Sequence, residues 1–313
     1  MLVLEMNIIN KKILENSRIH IVSTTAAILI WSVSFVATKI ALTTFPPLGL
    51  GLVRFGLATM LLGPFMFIKT NIDKPTPKDV MKLTVSGLLG ITLYFSLENI
   101  GVKYSTAVDA ALIVASYPAI TMLLEAMLFQ TKYPVQSFMG VVLAIFGVYM
   151  IVSVNSFGEG SERVFGNLLL ILAGIVWALY NFITHSVASK YSMSTITFYQ
   201  IVAGTIGFLP IAFLEADGWG PLSLDALIAV IYLGALCSLL AFYLYAFGLR
   251  QISSSSAVVL MNLVPVFGIL FSMIILKESI NTIQIIGGTV VISGGVLSIK
   301  AADNLVVKKR EEN

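Results

Sequence analysis

The chain repeats itself with a period of about 146 residues. Trp31 returns as Trp177 and Pro64 as Pro210, each 146 positions on. The stretch Lys103 to Pro118 returns as Arg250 to Pro265, and Gly140 and Gly147 return as Gly287 and Gly294, all at 147. The register therefore slips by one residue between the early and late parts of each copy. A period this long is not that of a solenoid repeat. Its composition narrows the choice: 58% of residues are hydrophobic and 11% charged, where a soluble domain carries about a quarter charged residues. The mean hydropathy is +0.95. A duplicated apolar half-chain points to a membrane protein of the internally repeated kind that transporters use.

Other classes lack their signatures. Cys237 is the sole cysteine, which excludes an internal disulfide, and with His20 and His185 as the only histidines no metal-ligand cluster stands out. No phosphate-binding loop of the G-x-x-x-x-G-K-[ST] form is present, and Gly49, Gly51 and Gly56 miss the dinucleotide spacing. No serine, histidine and acid grouping forms a hydrolase signature, no basic patch for nucleic acid exists outside the short tails, and nothing calls for a cofactor. The N-terminal stretch mixes Glu5, Lys11, Lys12, Glu15 and Arg18 with apolar residues. The apolar run after it lasts about 22 residues, long enough to span a bilayer, with no cleavage site. It is expected to stay attached as a first span rather than act as a signal peptide.

The hydropathy predicts an all-α integral membrane protein with ten spans, near 21–42, 48–68, 83–101, 106–129, 137–153, 166–188, 194–214, 226–247, 256–276 and 283–299. The organisation expected is an N-terminal tail (1–20), a first five-helix repeat (21–154), a linker (155–165), a second five-helix repeat (166–299) and a C-terminal tail (300–313). An even number of spans puts both tails on one side. If that side is the cytoplasm, 14 of the 19 Lys and Arg residues lie inside. Four lie outside, Lys39, Lys103, Arg163 and Lys277, and Arg54 falls within a span. The positive-inside rule then places both tails in the cytoplasm. Five spans per half is odd, so the second half enters the membrane inverted relative to the first. Known carriers of that kind bind their cargo near the midplane between the repeats.

The first spans of the two halves match face for face. Trp31, Ser34, Phe35, Thr38 and Lys39 line one side of a helix, and 146 residues on stand Trp177, Tyr180, Asn181, Thr184 and His185. A polar stripe in a spanning helix faces protein or a water-filled cavity, or bridges neighbouring helices. Lys39, Arg54 and Glu98 fall at similar depth in the outer half, with His185, Gln200 and Tyr245 as their inner-half counterparts. Lys39 has the alternative of snorkelling to the interface. Arg54 lies deeper and needs a partner. Glu98 and His185 are the candidates for a proton-linked step, with a structural ion pair as the plainer reading. Thr106-x-x-Asp109 reads as a capping box opening span four. Pro118 and Pro265 each free a carbonyl, of Val114 and Met261, near the midplane. The glycine pairs of spans five and ten, and Ala107, Ala111 and Ala115, form small-residue faces for close helix packing or a homodimer.

Taken in order, several of these residues resemble those of a known family: Trp31 to Lys39, Arg54-Phe55, Glu98-Asn99, Lys103 to Ala107 with Pro118, then Trp177-Ala178, Gly248-Leu249, Pro265 and Leu276-Lys277-Glu278. The chain is similar over about residues 21–299 to the drug/metabolite transporter superfamily, in the form with two EamA domains. The resemblance implies a ten-helix inverted-repeat carrier of the microbial plasma membrane, both tails cytoplasmic, moving small metabolites and often exporting them. It names no cargo. One departure is that Glu278 has Thr131 as its first-half counterpart, where the family commonly has an acid. Glu278, at a helix end, is expected to have no substrate role.

The expectation is a secondary carrier for amino acids or related metabolites working by alternating access. Its partners would be a small-molecule cargo, membrane lipids and, as one option, a coupling proton. The candidate binding residues are Trp31, Ser34, Thr38, Lys39, Arg54, Glu98, Trp177, Tyr180, Asn181 and His185, with Pro118 and Pro265 as kinks beside the cavity. No catalytic or metal site is expected. A membrane enzyme would need an acid/base or metal constellation at one depth. A non-transporting scaffold or sensor would leave the central stripes packed and dry.

Overall fold

The computed structural model describes residues 19–68, 74–155, 161–248 and 260–311, the last twelve of these as backbone only. Most of the expected N-terminal tail, the centre of the linker at 156–160, the start of the ninth expected span and the end of the C-terminal tail lie outside the described residues. Among the described residues the chain is all helical: α1 Ile19–Ala41, α2 Pro47–Ile68, α3 Pro77–Tyr104, α4 Ala107–Val114, α5 Tyr117–Phe129, α6 Val135–Asn155, α7 Ser161–Ala188, α8 Met193–Ala212, α9 Leu224–Tyr245, α10 Leu263–Leu276 and α11 Thr282–Glu311. Eight of these helices are long and apolar enough to cross a membrane, and nine spans result if α4 and α5, bent by 40°, count as one. The ninth expected span, 256–276, is described from residue 260 onward, where α10 is a shorter apolar helix.

Local chemistry sets the helix starts. Thr76, Thr106, Ser192 and Ser223 sit at N-caps in extended conformation, and each side chain accepts from the backbone N–H three residues on. Asn281 and Gln284 close a reciprocal capping box at α11, with Asn281 N–H donating to Gln284 Oε1 at 2.9 Å and Gln284 N–H to Asn281 Oδ1 at 2.8 Å. The expected box at Thr106 forms only halfway. Thr106 Oγ1 accepts from Asp109 N–H at 3.0 Å, while the Asp109 carboxylate turns to partners on other helices.

Departures from regular helix recur in both copies. α3 carries a π-helical segment at Leu88–Leu93 and α9 one at Tyr232–Leu240, which overlap when shifted by 147 residues. The break between α4 and α5 falls at Ala115 and Ser116, and its echo is the turn at Asn262 just before α10. Each lies two or three residues ahead of its proline, where the missing N–H removes a helical bond. Pro118 is exposed and Pro265 buried. Helix α5 ends on Gln130 (φ 54°) and α10 on Lys277 (φ 56°), which are 147 residues apart and are the non-glycine residues of positive φ among those described.

The small-residue faces of α6 and α11 meet each other within the chain. A Cβ added at Gly147 would stand 2.6 Å from Gly287 O, and one at Gly294 would stand 2.5 Å from Gly140 O. The two helices therefore touch backbone to backbone, running antiparallel.

Candidate functional site

Helix α2 is apolar along its length, yet it carries Arg54 to a site where the residue is 5% exposed. The guanidinium is held from two sides. Its Nε donates to Ser238 Oγ at 3.1 Å, and Cζ stands 4.4 Å from the Phe95 ring centroid and 5.2 Å from that of Phe55. A planar, weakly hydrated cation suits such an aromatic wall. Ser238 lies in the π segment of α9 and donates to Leu233 O, five residues back, at 2.9 Å. The widened turn thus presents the hydroxyl oxygen to Arg54. π-helical segments are rare in helices and concentrate at functional sites.

One turn beyond Phe95 on α3, Glu98 is also 5% exposed and accepts a hydrogen bond from the Tyr94 hydroxyl. Arg54 and Glu98 are within electrostatic reach of each other but form no ion pair. The Tyr94 ring packs 5.0 Å from Trp177, which packs 5.0 Å from Tyr180. Gly90, in the π segment of α3, has no room for a side chain because the Tyr180 ring lies on its backbone. Arg54, Phe95, Tyr94, Glu98, Trp177 and Tyr180 therefore form one continuous cluster drawn from α2, α3 and α7.

The second half repeats the plan without charge. Gln200, the echo of Arg54, donates from Nε2 to Ser86 Oγ and to Thr184 Oγ1, both at 2.9 Å, and its Oε1 accepts from the Tyr180 hydroxyl at 3.3 Å. The backbone contacts echo as well: a Cβ at Gly87 would meet Gln200 O at 2.5 Å, and one at Gly234 would meet Arg54 O at 2.9 Å.

The other expected site residues are distributed as follows. Trp31 is half-buried against α9, its Nε1 donating to Cys237 O at 3.1 Å and its ring beside Phe242 and Tyr245. Ser34 and Asn181 are half-buried and bond to carbonyls of their own helices, Trp31 O and Trp177 O. Thr38 is buried, and its Oγ1, like Asn99 Oδ1, has no partner. Lys39 is drawn away from the cluster: Nζ donates to the carbonyls of Val102 at 2.8 Å, Lys103 at 3.2 Å and Ser105, closing the C-terminal end of α3. His185 is exposed near the end of α7. Glu278 accepts from the Ala107 and Val108 N–H groups at 3.0 and 2.9 Å, capping α4. Among the described residues no group of three His, Cys, Asp or Glu side chains is placed to hold a metal ion.

Sequence reasoning did not single out Tyr94, Phe95 or Ser238. In a hydropathy reading they are ordinary members of apolar spans. The available signal was Gly87 recurring as Gly234, with Gly90 nearby, which marks close backbone approach.

Known proteins agree with this architecture. The EamA-like transporter family model matches residues 19–153 and again 164–300. A protein of Archaeoglobus fulgidus named as an uncharacterized transporter is 31% identical, covering 90% of this chain and 98% of its own length. A Bacillus subtilis protein named as the uncharacterized transporter YetK is 29% identical over 87% of this chain and 84% of its own. A probable terminal-alkyne amino-acid exporter of Streptantibioticus cattleyicolor is 24% identical over 86% and 90% respectively. One solved crystal structure aligns with a TM-score of 0.61 at 18% identity, over 91% of this chain and 97% of that one, a likeness of fold. With both copies of the repeat matched and relatives of this kind aligned over most of the chain, the protein is a multi-pass membrane protein that belongs to the EamA-like transporter family.

Proposed function

We propose that the chain is a secondary carrier that exports amino acids or related small zwitterions by alternating access. In this reading it has ten spans in two inverted five-helix repeats and sits in the plasma membrane with both tails in the cytoplasm. The observation that carries the proposal is a buried cation and a buried carboxyl, Arg54 and Glu98, on adjacent helices, close but not paired. Two buried groups of opposite sign, each held by its own neighbours rather than by the other, suit a ligand that brings one charge to each. The cargo carboxylate meets Arg54, its ammonium meets Glu98, and the side chain lies against Phe95, Tyr94 and Trp177. Arg54 keeps its orientation through Ser238 and Phe95, so its terminal nitrogens remain for the cargo. The half-buried state of Trp31, Ser34, Trp177, Tyr180 and Asn181 supports an accessible centre over a dry, packed one.

The inverted-repeat reading is supported by the echoed π segments, the echoed breaks and the glycine contacts between α6 and α11. The export direction and the amino-acid class lean on the relative named as a probable amino-acid exporter. Counterflow in proteoliposomes tests the proposal. Saturable exchange of at least one zwitterionic amino acid is expected, and no saturable flux across a broad metabolite panel would overturn it.

A further inference from the structure

Two sequence motifs of the same form, Thr76-x-x-Asp79 and Thr106-x-x-Asp109, flank α3. In both, the threonine caps a helix and the aspartate carboxylate reaches partners in the second half of the chain, Asp79 while still accepting from the Thr76 hydroxyl at 3.1 Å. At one end, Asp79 accepts from Lys190 Nζ at 3.2 Å and from the Tyr191 hydroxyl at 2.8 Å. The lysine side chain of that pair is 50% exposed. At the other end, Asp109 is wholly buried. Its Oδ2 accepts from Arg163 Nε at 2.9 Å and Asn167 Nδ2 at 3.2 Å, and its Oδ1 from Gln284 Nε2 at 2.6 Å. Arg163 and Asn167 lie on α7 and Gln284 on α11. The 28 residues of α3 separate the two ends by about 40 Å at 1.5 Å per residue.

The ends differ in kind. The Asp79 carboxylate is itself buried, but its cationic partner Lys190 is half-exposed, and an ion pair with a solvated lysine is screened and contributes little. The Asp109 cluster is a desolvated network with donors from two second-half helices, and removing one member takes a hydrogen bond from a buried polar group. Sequence echoes of the buried cluster are neutral: Asp109 becomes Ser256, Gln284 corresponds to Ser137, and Glu278 to Thr131. Ser137 is buried with an unpartnered hydroxyl. By sequence, inversion of the repeat therefore sets neutral residues where this end has its acids and its amide.

We propose that Asp79 and Asp109 are two latches of unequal strength at opposite ends of the central pathway, and that the protein rests closed at the Asp109 end. Opening that end, which the positive-inside reading makes the outer one, requires Asp109 to part from Arg163 and Gln284. The opposite end opens when Asp79 parts from the half-exposed Lys190 and from the Tyr191 hydroxyl. This inference rests on the carrier reading, since latches matter only if access alternates.

The test uses the full chain in a Cys237→Ala background with Ser34→Cys as reporter. A membrane-impermeant maleimide is applied to right-side-out and to inside-out vesicles. Asp109→Asn is expected to raise the labelling rate about fivefold or more from one face only, the size of a population shift set by one lost interaction. Asp79→Asn is expected to give a smaller rise from the opposite face. Arg163→Gln, at the more exposed partner, should reproduce the Asp109→Asn result. No change on either face, an equal rise on both faces, or loss of the folded protein in both Asp109→Asn and Arg163→Gln would each overturn the latch. Labelling needs no cargo, so the two ideas separate. A face-specific response without flux removes the carrier reading alone, and flux without a labelling response removes the latch alone.

Discussion

Thr59 Oγ1 and Thr205 Oγ1 lie 3.0 Å apart, and the two residues are 146 positions apart in the sequence, so a residue of the first half touches its own echo in the second. Contact between equivalent residues is what a two-fold axis produces. The exchange of partners among Gly140, Gly147, Gly287 and Gly294 has the same form. Thr59→Cys with Thr205→Cys, in the Cys237→Ala background and with a protease site inserted at 156–160, is expected to cross-link on mild oxidation. After cleavage the two halves should migrate together on a non-reducing gel. Separate halves would contradict this packing.

The glycines sort by what faces them. Gly147→Ala sets a Cβ 2.6 Å from Gly287 O, a backbone atom that cannot retreat unless the helices part. Overpacking of this kind costs about 1–3 kcal/mol, so the melting temperature should fall. Gly56→Ala meets nothing within 4 Å and should leave the melting temperature unchanged or slightly higher, as alanine favours helix. Equal behaviour of the two variants in a thermal-shift measurement would argue against the α6–α11 contact.

Gly90→Ala tests the junction of the π segment with the site. The added methyl overlaps the Tyr180 ring, which is held between Trp177 and Gln200. A loss of flux is expected, with partial recovery in Gly90→Ala/Tyr180→Ala, because only the double variant relieves the overlap. Additive losses in the double-variant cycle would show that the two positions are independent.

Lys39 and Arg54 separate scaffold from site. Lys39→Ala removes the donor to the last carbonyls of α3 and should cost about 1 kcal/mol of stability, with the apparent affinity for cargo little changed. Arg54→Lys retains charge but loses the Nε bond to Ser238 and the planar stacking on Phe95. It should raise the apparent KM about tenfold or more, the size of a lost charge-assisted hydrogen bond. A KM effect of Lys39→Ala matching that of Arg54→Lys would return Lys39 to the binding site.

Much of this architecture is legible in the sequence because it rests on coarse physics. Spans show as apolar runs, and duplication shows as matched Trp, Pro and Gly positions. Arg54 and Glu98 stand out because charge is costly in an apolar helix. The rest depends on where side chains point. Lys39 looks like a cavity cation until the end of α3 is placed beside it, and Asp109 looks like a cap residue until α7 and α11 arrive. The π segments at Leu88–Leu93 and Tyr232–Leu240 leave no trace in hydropathy, since adding a residue to a turn does not change how apolar the turn is. Tyr94 and Phe95 are hidden for a related reason, as aromatics in a span look the same whether they face lipid or a buried cation.

The most direct measurement is substrate counterflow by the purified chain in proteoliposomes, comparing wild type with Arg54→Lys and Glu98→Gln on one amino acid and on its amide and N-acetyl derivatives. The zwitterion is expected to exchange saturably in the wild type. Masking the carboxylate should abolish the difference between wild type and Arg54→Lys, and masking the amine should abolish that between wild type and Glu98→Gln. Saturable exchange that ignores all three changes, or none at all, would contradict a site built on Arg54 and Glu98.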